Sequence, residues 1–113
     1  MRILLIVLFA LISTAAMADS LTWRFENNHE NIVDLELYAD DGKWPGGGEV
    51  YSLDDGTTRK VKINCRKGEQ ICYGAWLRGS SSEAWGAGKG GEGDCDSCCF
   101  VCGTGQTPIL TFN

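Results

Sequence analysis

All six cysteines of this chain fall in its second half, and an export signal stands at its start. Cys65 and Cys72 flank a short turn, and Cys95, Cys98, Cys99 and Cys102 follow as CxxCCxxC. An exported chain meets an oxidising compartment, where an even number of cysteines forms disulfides. The cysteines are therefore expected to staple the fold rather than to carry chemistry. Each bridge stabilises by ~2–4 kcal/mol, against a net stability of ~5–15 kcal/mol for an ordinary domain. Adjacent Cys98 and Cys99 point to opposite sides of an extended segment and so reach different partners. Two arrangements stay open: a local Cys65–Cys72 bridge with the other four paired among themselves, or long-range links. Long-range links are favoured, because closing a longer loop removes more entropy from the unfolded chain.

The export signal has three parts. Arg2 supplies the positive start, Ile3 to Ile12 is an unbroken apolar run, and Ala16-Met17-Ala18 is a cleavage site. The run is shorter than the ~20 residues that span a bilayer, and no second long run follows. Cleavage leaves residues 19–113 as a single domain, secreted or periplasmic, with no membrane insertion once the leader is gone. The residue immediately after the cleavage site is Asp19 and not a cysteine, which disfavours a lipid anchor. The whole chain carries a formal charge of −5, and losing Arg2 makes it more acidic. Such a surface repels phosphate backbones and anionic lipid, so no nucleic-acid partner is expected.

The first half of the mature chain alternates. Leu21, Trp23 and Phe25 interleave with Thr22, Arg24 and Glu26, and after a turn at Asn27–Asn31 so do Val33, Leu35, Leu37 and Ala39 with polar neighbours. That is the period of half-buried antiparallel strands. Asp40-Asp41-Gly42 breaks the pattern, Trp44-Pro45-Gly46-Gly47-Gly48 reads as a loop, and Val50 to Leu53 as a short strand closed by Asp54-Asp55-Gly56. Arg59 to Cys65 alternates again. Gly68-Glu69 suits a two-residue hairpin turn, which sets Cys65 opposite Cys72 at ~5.5 Å between Cα atoms, within disulfide range. Gln70 to Leu77 is apolar on both faces, the signature of a central covered strand. Residues 79–108 are rich in glycine, serine and cysteine without a period, and Ile109 to Phe112 reads as a last strand. Five or six strands without helical periodicity predict an all-β fold. The expected form is a small antiparallel β-sandwich or open barrel with a long Gly/Cys-rich, disulfide-tethered loop.

Several of these segments occur together: Trp44-Pro45-Gly46, the run Ile71-Cys72-Tyr73-Gly74-Ala75-Trp76, Trp85-Gly86-Ala87-Gly88 and the CxxCCxxC. In this the chain resembles a group of small exported bacterial proteins of uncharacterised function. The resemblance implies a bacterial, exported origin and brings no activity or site residues.

Four features could carry chemistry. The cysteine cluster has the ligand type and CxxC spacing of a zinc site, yet the adjacent pair lacks a spacer and oxidation removes the thiolates a metal needs. Asp94 and Asp96 beside Cys95 disfavour a reactive thiolate. Gly86–Gly91 matches GxGxxG, but no strand–helix unit surrounds it, so no nucleotide is expected. His29, the one histidine, sits in a polar turn without a nucleophile motif. Asp40-Asp41-Gly42 and Asp54-Asp55-Gly56 have turn chemistry rather than that of a calcium or acid–base site. Of the tryptophans, Trp23 and Trp76 lie in strand patterns and are expected buried. Trp44 and Trp85 lie in glycine-rich loops, are expected partly exposed, and are the candidate binding residues, each a large rigid face with one N–H donor.

No catalytic residue, metal or cofactor is therefore expected. The reading is a non-enzymatic binding module for a glycan, an envelope component or another protein. The alternatives are a structural envelope protein without a dedicated ligand, or a metal or redox protein using the cysteines. Export should remove residues 1–18, so N-terminal sequencing of the exported protein should begin at Asp19; a retained Met1 would refute the leader.

Overall fold

The computed structural model describes residues 18–113. Residues 1–17, and with them most of the expected leader, lie outside the described residues. The chain forms β1 (Ala18–Asn27), β2 (Val33–Ala39), β3 (Gly42–Trp44), β4 (Tyr51–Leu53) and β5 (Thr58–Arg66), then β6 (Gln70–Leu77), β7 (Ser80–Gly86), β8 (Cys99–Val101) and β9 (Gly105–Phe112). Among the described residues there is no helix.

These strands make two sheets, and the fold is an all-β sandwich. One sheet runs β5-β1-β9. The other runs β3-β2-β6-β7, with β4 beside the first half of β2 and β8 beside the first half of β6. The alternation seen in sequence decides which face is which. Leu21, Trp23 and Phe25 of β1 and Val61 and Ile63 of β5 turn inward, to meet Val33, Leu35 and Leu37 of β2 and Ile71 and Ala75 of β6. Burial of such side chains is the main stabilising term, at ~1.5–3 kcal/mol each. Aromatic rings fill the centre: Trp23 and Phe25 stack at 5.8 Å, and Tyr73 meets both edge-on.

The structure departs from the sequence expectation in four places. Gly68-Glu69 does not close a hairpin: β5 and β6 belong to different sheets, and the turn, closed by the Glu69 N–H on the Arg66 carbonyl (2.9 Å), carries the chain across the sandwich. Cys65 and Cys72 therefore do not face each other. Second, the stretch 79–108 contains two strands and the start of a third. Third, β9 runs parallel to β1, so the sandwich is not wholly antiparallel. Fourth, Trp44 ends a strand and Trp85 lies within one.

Chain crossings gather at the two ends. At one end Asn27, fully buried, binds the corners together. Its Nδ2 donates to the carbonyls of Asn31 and Leu53 at 2.9 and 3.0 Å, its Oδ1 accepts the His29 N–H, and its backbone pairs with Gly56 and Thr57. A buried side chain serving several backbone groups at once is costly to remove, because each group loses its partner. Asn27→Ala should lower stability by about 2–4 kcal/mol, while exposed Asn28→Ala should shift it by less than about 0.5. Urea unfolding of the oxidised protein measures both, and equal midpoints would contradict the role given to Asn27.

Candidate functional site

The cysteines pair as Cys65–Cys102, Cys72–Cys99 and Cys95–Cys98, with Cα separations of 6.1, 4.0 and 5.8 Å. The first two are the long-range links favoured above, closing loops of sequence separation 37 and 27. Cys98 and Cys99 take different partners, although their sulfurs lie 3.7 Å apart. The sulfurs of Cys72, Cys98 and Cys99 all lie within 4.8 Å of one another, close enough to share a metal ion were they thiolates. In the oxidised chain each is consumed in a disulfide and offers no thiolate. Three disulfides suit an oxidising compartment. No helix among the described residues is long and apolar enough to cross a membrane.

The glycine-rich segment after β7 has a packing role. It lies on the outer face of the second sheet, held by Ala87 N–H to the Tyr73 carbonyl (2.9 Å) and Gly90 N–H to the Tyr38 hydroxyl oxygen (3.2 Å). A Cβ on Gly74 would collide with the Gly88 carbonyl, and one on Gly91 would come within 2.8 Å of the Tyr38 ring. Glycine permits this close approach of backbone to sheet. Trp76 is buried beneath the segment, on the outer face of β6 and outside the core between the sheets. Hence β6 is covered on both faces, as its sequence suggested.

The acidic pairs serve turns. Asp40-Asp41 is the two-residue loop of the β2–β3 hairpin, and Asp54 accepts the Thr57 N–H at 3.2 Å through its carbonyl. His29 is more enclosed than a solvated turn residue. Its Nδ1 accepts the Asn31 N–H at 3.1 Å, its Nε2 lies 3.0 Å from Glu83, and its ring stands edge-on to Trp85. Asp34, buried on β2 between β4 and β6, is answered by Arg78 at 2.9 Å and Ser52 at 2.7 Å.

Trp44 and Trp85 are both half-buried, but on opposite edges. Trp85, on β7, closes the gap to β9 by packing on Phe112 with ring centres 5.2 Å apart. Trp44, on β3, faces β5. The two do not form one site. Trp44 alone borders an open groove, of about 380 Å³, with Asp41, Asn64, Arg66 and Glu69. A second hollow of similar size adjoins it, shares Arg66 and Glu69, and adds Asp40, Lys67 and Gln70. Arg66 is central: it pairs with Asp41 and, at 3.2 Å, with Glu69. The hydrogen bond to Glu69, with Asp41 alongside, pushes the guanidinium pKa above its ordinary value, so the group stays charged. Sequence reading found Trp44 but not its groove companions, which come from three separate strands and turns.

No family model, curated protein or solved structure matches the chain. The groove offers one indole ringed by two carboxylates, an amide and a guanidinium.

The pairing pattern is directly testable. Peptide mapping without reduction should recover the 65–102 and 72–99 links and no free thiol. A Cys65→Ser/Cys102→Ser double variant should lose about 3–4 kcal/mol. A recovered Cys65–Cys72 link would overturn the arrangement.

Proposed function

We propose that this is an exported, disulfide-stapled β-sandwich acting as a non-enzymatic binding module, and that its ligand is a glycan seated against Trp44. The observation that carries the reading is the Trp44 groove. A flat apolar ring suits the apolar face of a sugar, while the surrounding carboxylates, amide and guanidinium suit its hydroxyls. The groove is shallow, polar and open, as binding to a chain rather than enclosure of a small molecule requires. Rigid strands and the Cys65–Cys102 bridge beside it supply preorganisation, which limits the ordering cost of binding. The bacterial, exported origin implied by the sequence resemblance fits a ligand in the cell envelope or outside it.

The oxidised protein probed on an array of neutral and acidic oligosaccharides tests this. Trp44→Ala should weaken binding by about tenfold or more, the loss expected for a central aromatic anchor. Trp85→Ala, on the opposite edge, should leave it within about twofold. Circular dichroism of both variants separates lost binding from lost fold. Binding unaffected by Trp44→Ala, or none to any glycan, would refute the reading.

A further inference from the structure

The outer face of the three-stranded sheet carries a cluster of cations that the net charge conceals. Arg24 on central β1 stands directly opposite Lys60 on β5, and Lys62 follows Lys60 on the same face, opposite Thr22. Like charges directly opposed on a sheet face destabilise it. Among the described residues no carboxylate pairs with Arg24, Lys60 or Lys62, whereas Lys43, Arg66 and Arg78 each have an acidic partner; Arg59 and Lys89, also without one, lie instead over the Tyr51 and Trp76 rings. Glu26, the acidic residue of this face of β1, lies opposite Thr58. Lysines on an edge strand deter sheet-to-sheet association, but β1 is not an edge, and that role does not account for Arg24.

Arg24 is also held in place. The β1–β9 register slips between Thr22 and Arg24, and the resulting bulge presents the Thr107 carbonyl to the Arg24 Nε at 2.7 Å. The Thr107 hydroxyl oxygen accepts the Arg24 backbone N–H at 3.1 Å, and Thr107 itself is buried. Anchored through Nε, the guanidinium keeps its two terminal nitrogens for a paired interaction with an oxyanion. Bulges commonly re-aim a side chain in this way. Arg24, Thr58, Lys60 and half-exposed Ile109 border a hollow of about 370 Å³.

We infer that this hollow is an oxyanion subsite, and that the glycan of the Trp44 groove is an acidic polysaccharide running along β5. The inference rests on the glycan reading above and names the ligand's class. Lys60, Lys62, Asn64 and Arg66 all lie on the exposed face of β5, spanning roughly 20 Å at the ordinary strand rise. They lead from the Arg24 hollow to the groove that Asn64 and Arg66 share with Trp44. Uronate carboxylates or sulfates along a sugar chain complement the cations; hydroxyl and amide side chains at Ser20, Thr22 and Gln106 complement its hydroxyls. Phe25 borders the hollow but is buried, and among the described residues the outer face of this sheet exposes no aromatic side chain, so Trp44 at the end of the path is the aromatic face on offer. Successive bases of a single strand therefore lack a row of platforms to stack on, and a membrane lacks an aromatic belt on this face.

Affinity electrophoresis of the oxidised protein through gels holding polygalacturonate, dextran sulfate or neutral dextran tests the inference. The protein should be retarded by one or both acidic polymers and not by dextran, with retardation lost at high salt. Lys60→Gln/Lys62→Gln should weaken it about tenfold or more. The charge-matched Lys43→Gln/Lys89→Gln should change it less than about twofold. Arg24→Lys, which keeps the charge but loses the paired donors, should weaken it several-fold, with thermal melts reporting its fold. Equal retardation of the Lys60/Lys62 and Lys43/Lys89 variants would overturn the inference. So would tighter binding to single-stranded DNA or to anionic phospholipid vesicles. Neutral-sugar binding that needs Trp44 and ignores Lys60 would overturn the acidic ligand and leave the glycan reading standing; binding to no polymer or oligosaccharide would overturn both.

Discussion

The Cys65–Cys102 bridge joins the two places where the chain passes between sheets at one end of the sandwich. Cys65 closes β5 just before the turn into β6, and Cys102 follows β8 just before the chain returns to β9. Backbone bonds reinforce the joint: Gly68 N–H to the Cys102 carbonyl at 3.0 Å and Cys102 N–H to the Glu69 carbonyl at 2.8 Å. A sandwich of short strands has little to keep its sheets in register except the core between them. Here the register at one end is covalent, and at the other it is set by Asn27. The turn bearing Arg66 and Glu69 is thereby fixed, and with it the wall of the Trp44 groove.

The second bridge solves a different problem. The glycine-rich segment buries Trp76 and covers Gly74 without regular hydrogen bonding of its own, so its conformational entropy would oppose docking. Cys72–Cys99 fastens β8, the end of that segment, directly beside β6. Glycines let the backbone lie close against Tyr38 and Gly74, and the disulfide makes the docked arrangement persist. The density of glycine and of cysteine thus has a common cause: a thin layer of chain laid over a sheet.

The period-two strands were legible because β1, β2, β5 and β6 each bury one face against the other sheet, and that burial imposes alternation. Even the covering of β6 could be read, since Cys72 and Trp76 made its second face apolar. β7 was not legible. Ser80-Ser81-Ser82-Glu83 offers little apolar signal; an edge strand with one neighbour needs only backbone pairing, and its register is irregular near Trp76 and Leu77. β9 was read too short because the bulge at Thr107 and Pro108 breaks its period, proline being confined to such places. The β5–β6 hairpin failed because a tight turn can fold a chain back within a sheet or carry it across to another. Sequence spacing fits both, and the core decides: β5 buries Val61 and Ile63 against the opposite sheet. Trp44 was legible as a residue, while its groove depends on that same crossing.

Charge segregation was invisible for a related reason. Alternation places every second residue of β5 on one face, so Lys60 and Lys62 share a surface that sequence averages with acidic turns far from it. The carboxylates at the chain crossings and on the second sheet neutralise the cations there: Asp41 and Glu69 take Arg66, Asp34 takes Arg78, and Glu36 takes Lys43 at 3.8 Å. Arg24, Lys60 and Lys62 have no such partner and share one sheet face, a cationic stripe on an acidic molecule. Its local cost in repulsion is modest because the side chains are solvated, where exposed charges interact by ~0–1 kcal/mol a pair. A protein can therefore carry such a stripe with little loss of stability. Net acidity opposes indiscriminate association of the whole molecule, while the proposed anionic chain, approaching from the β5 side, would meet positive charge at short range. Bulk charge and local charge would then act at different distances, the first against indiscriminate association and the second for the proposed ligand.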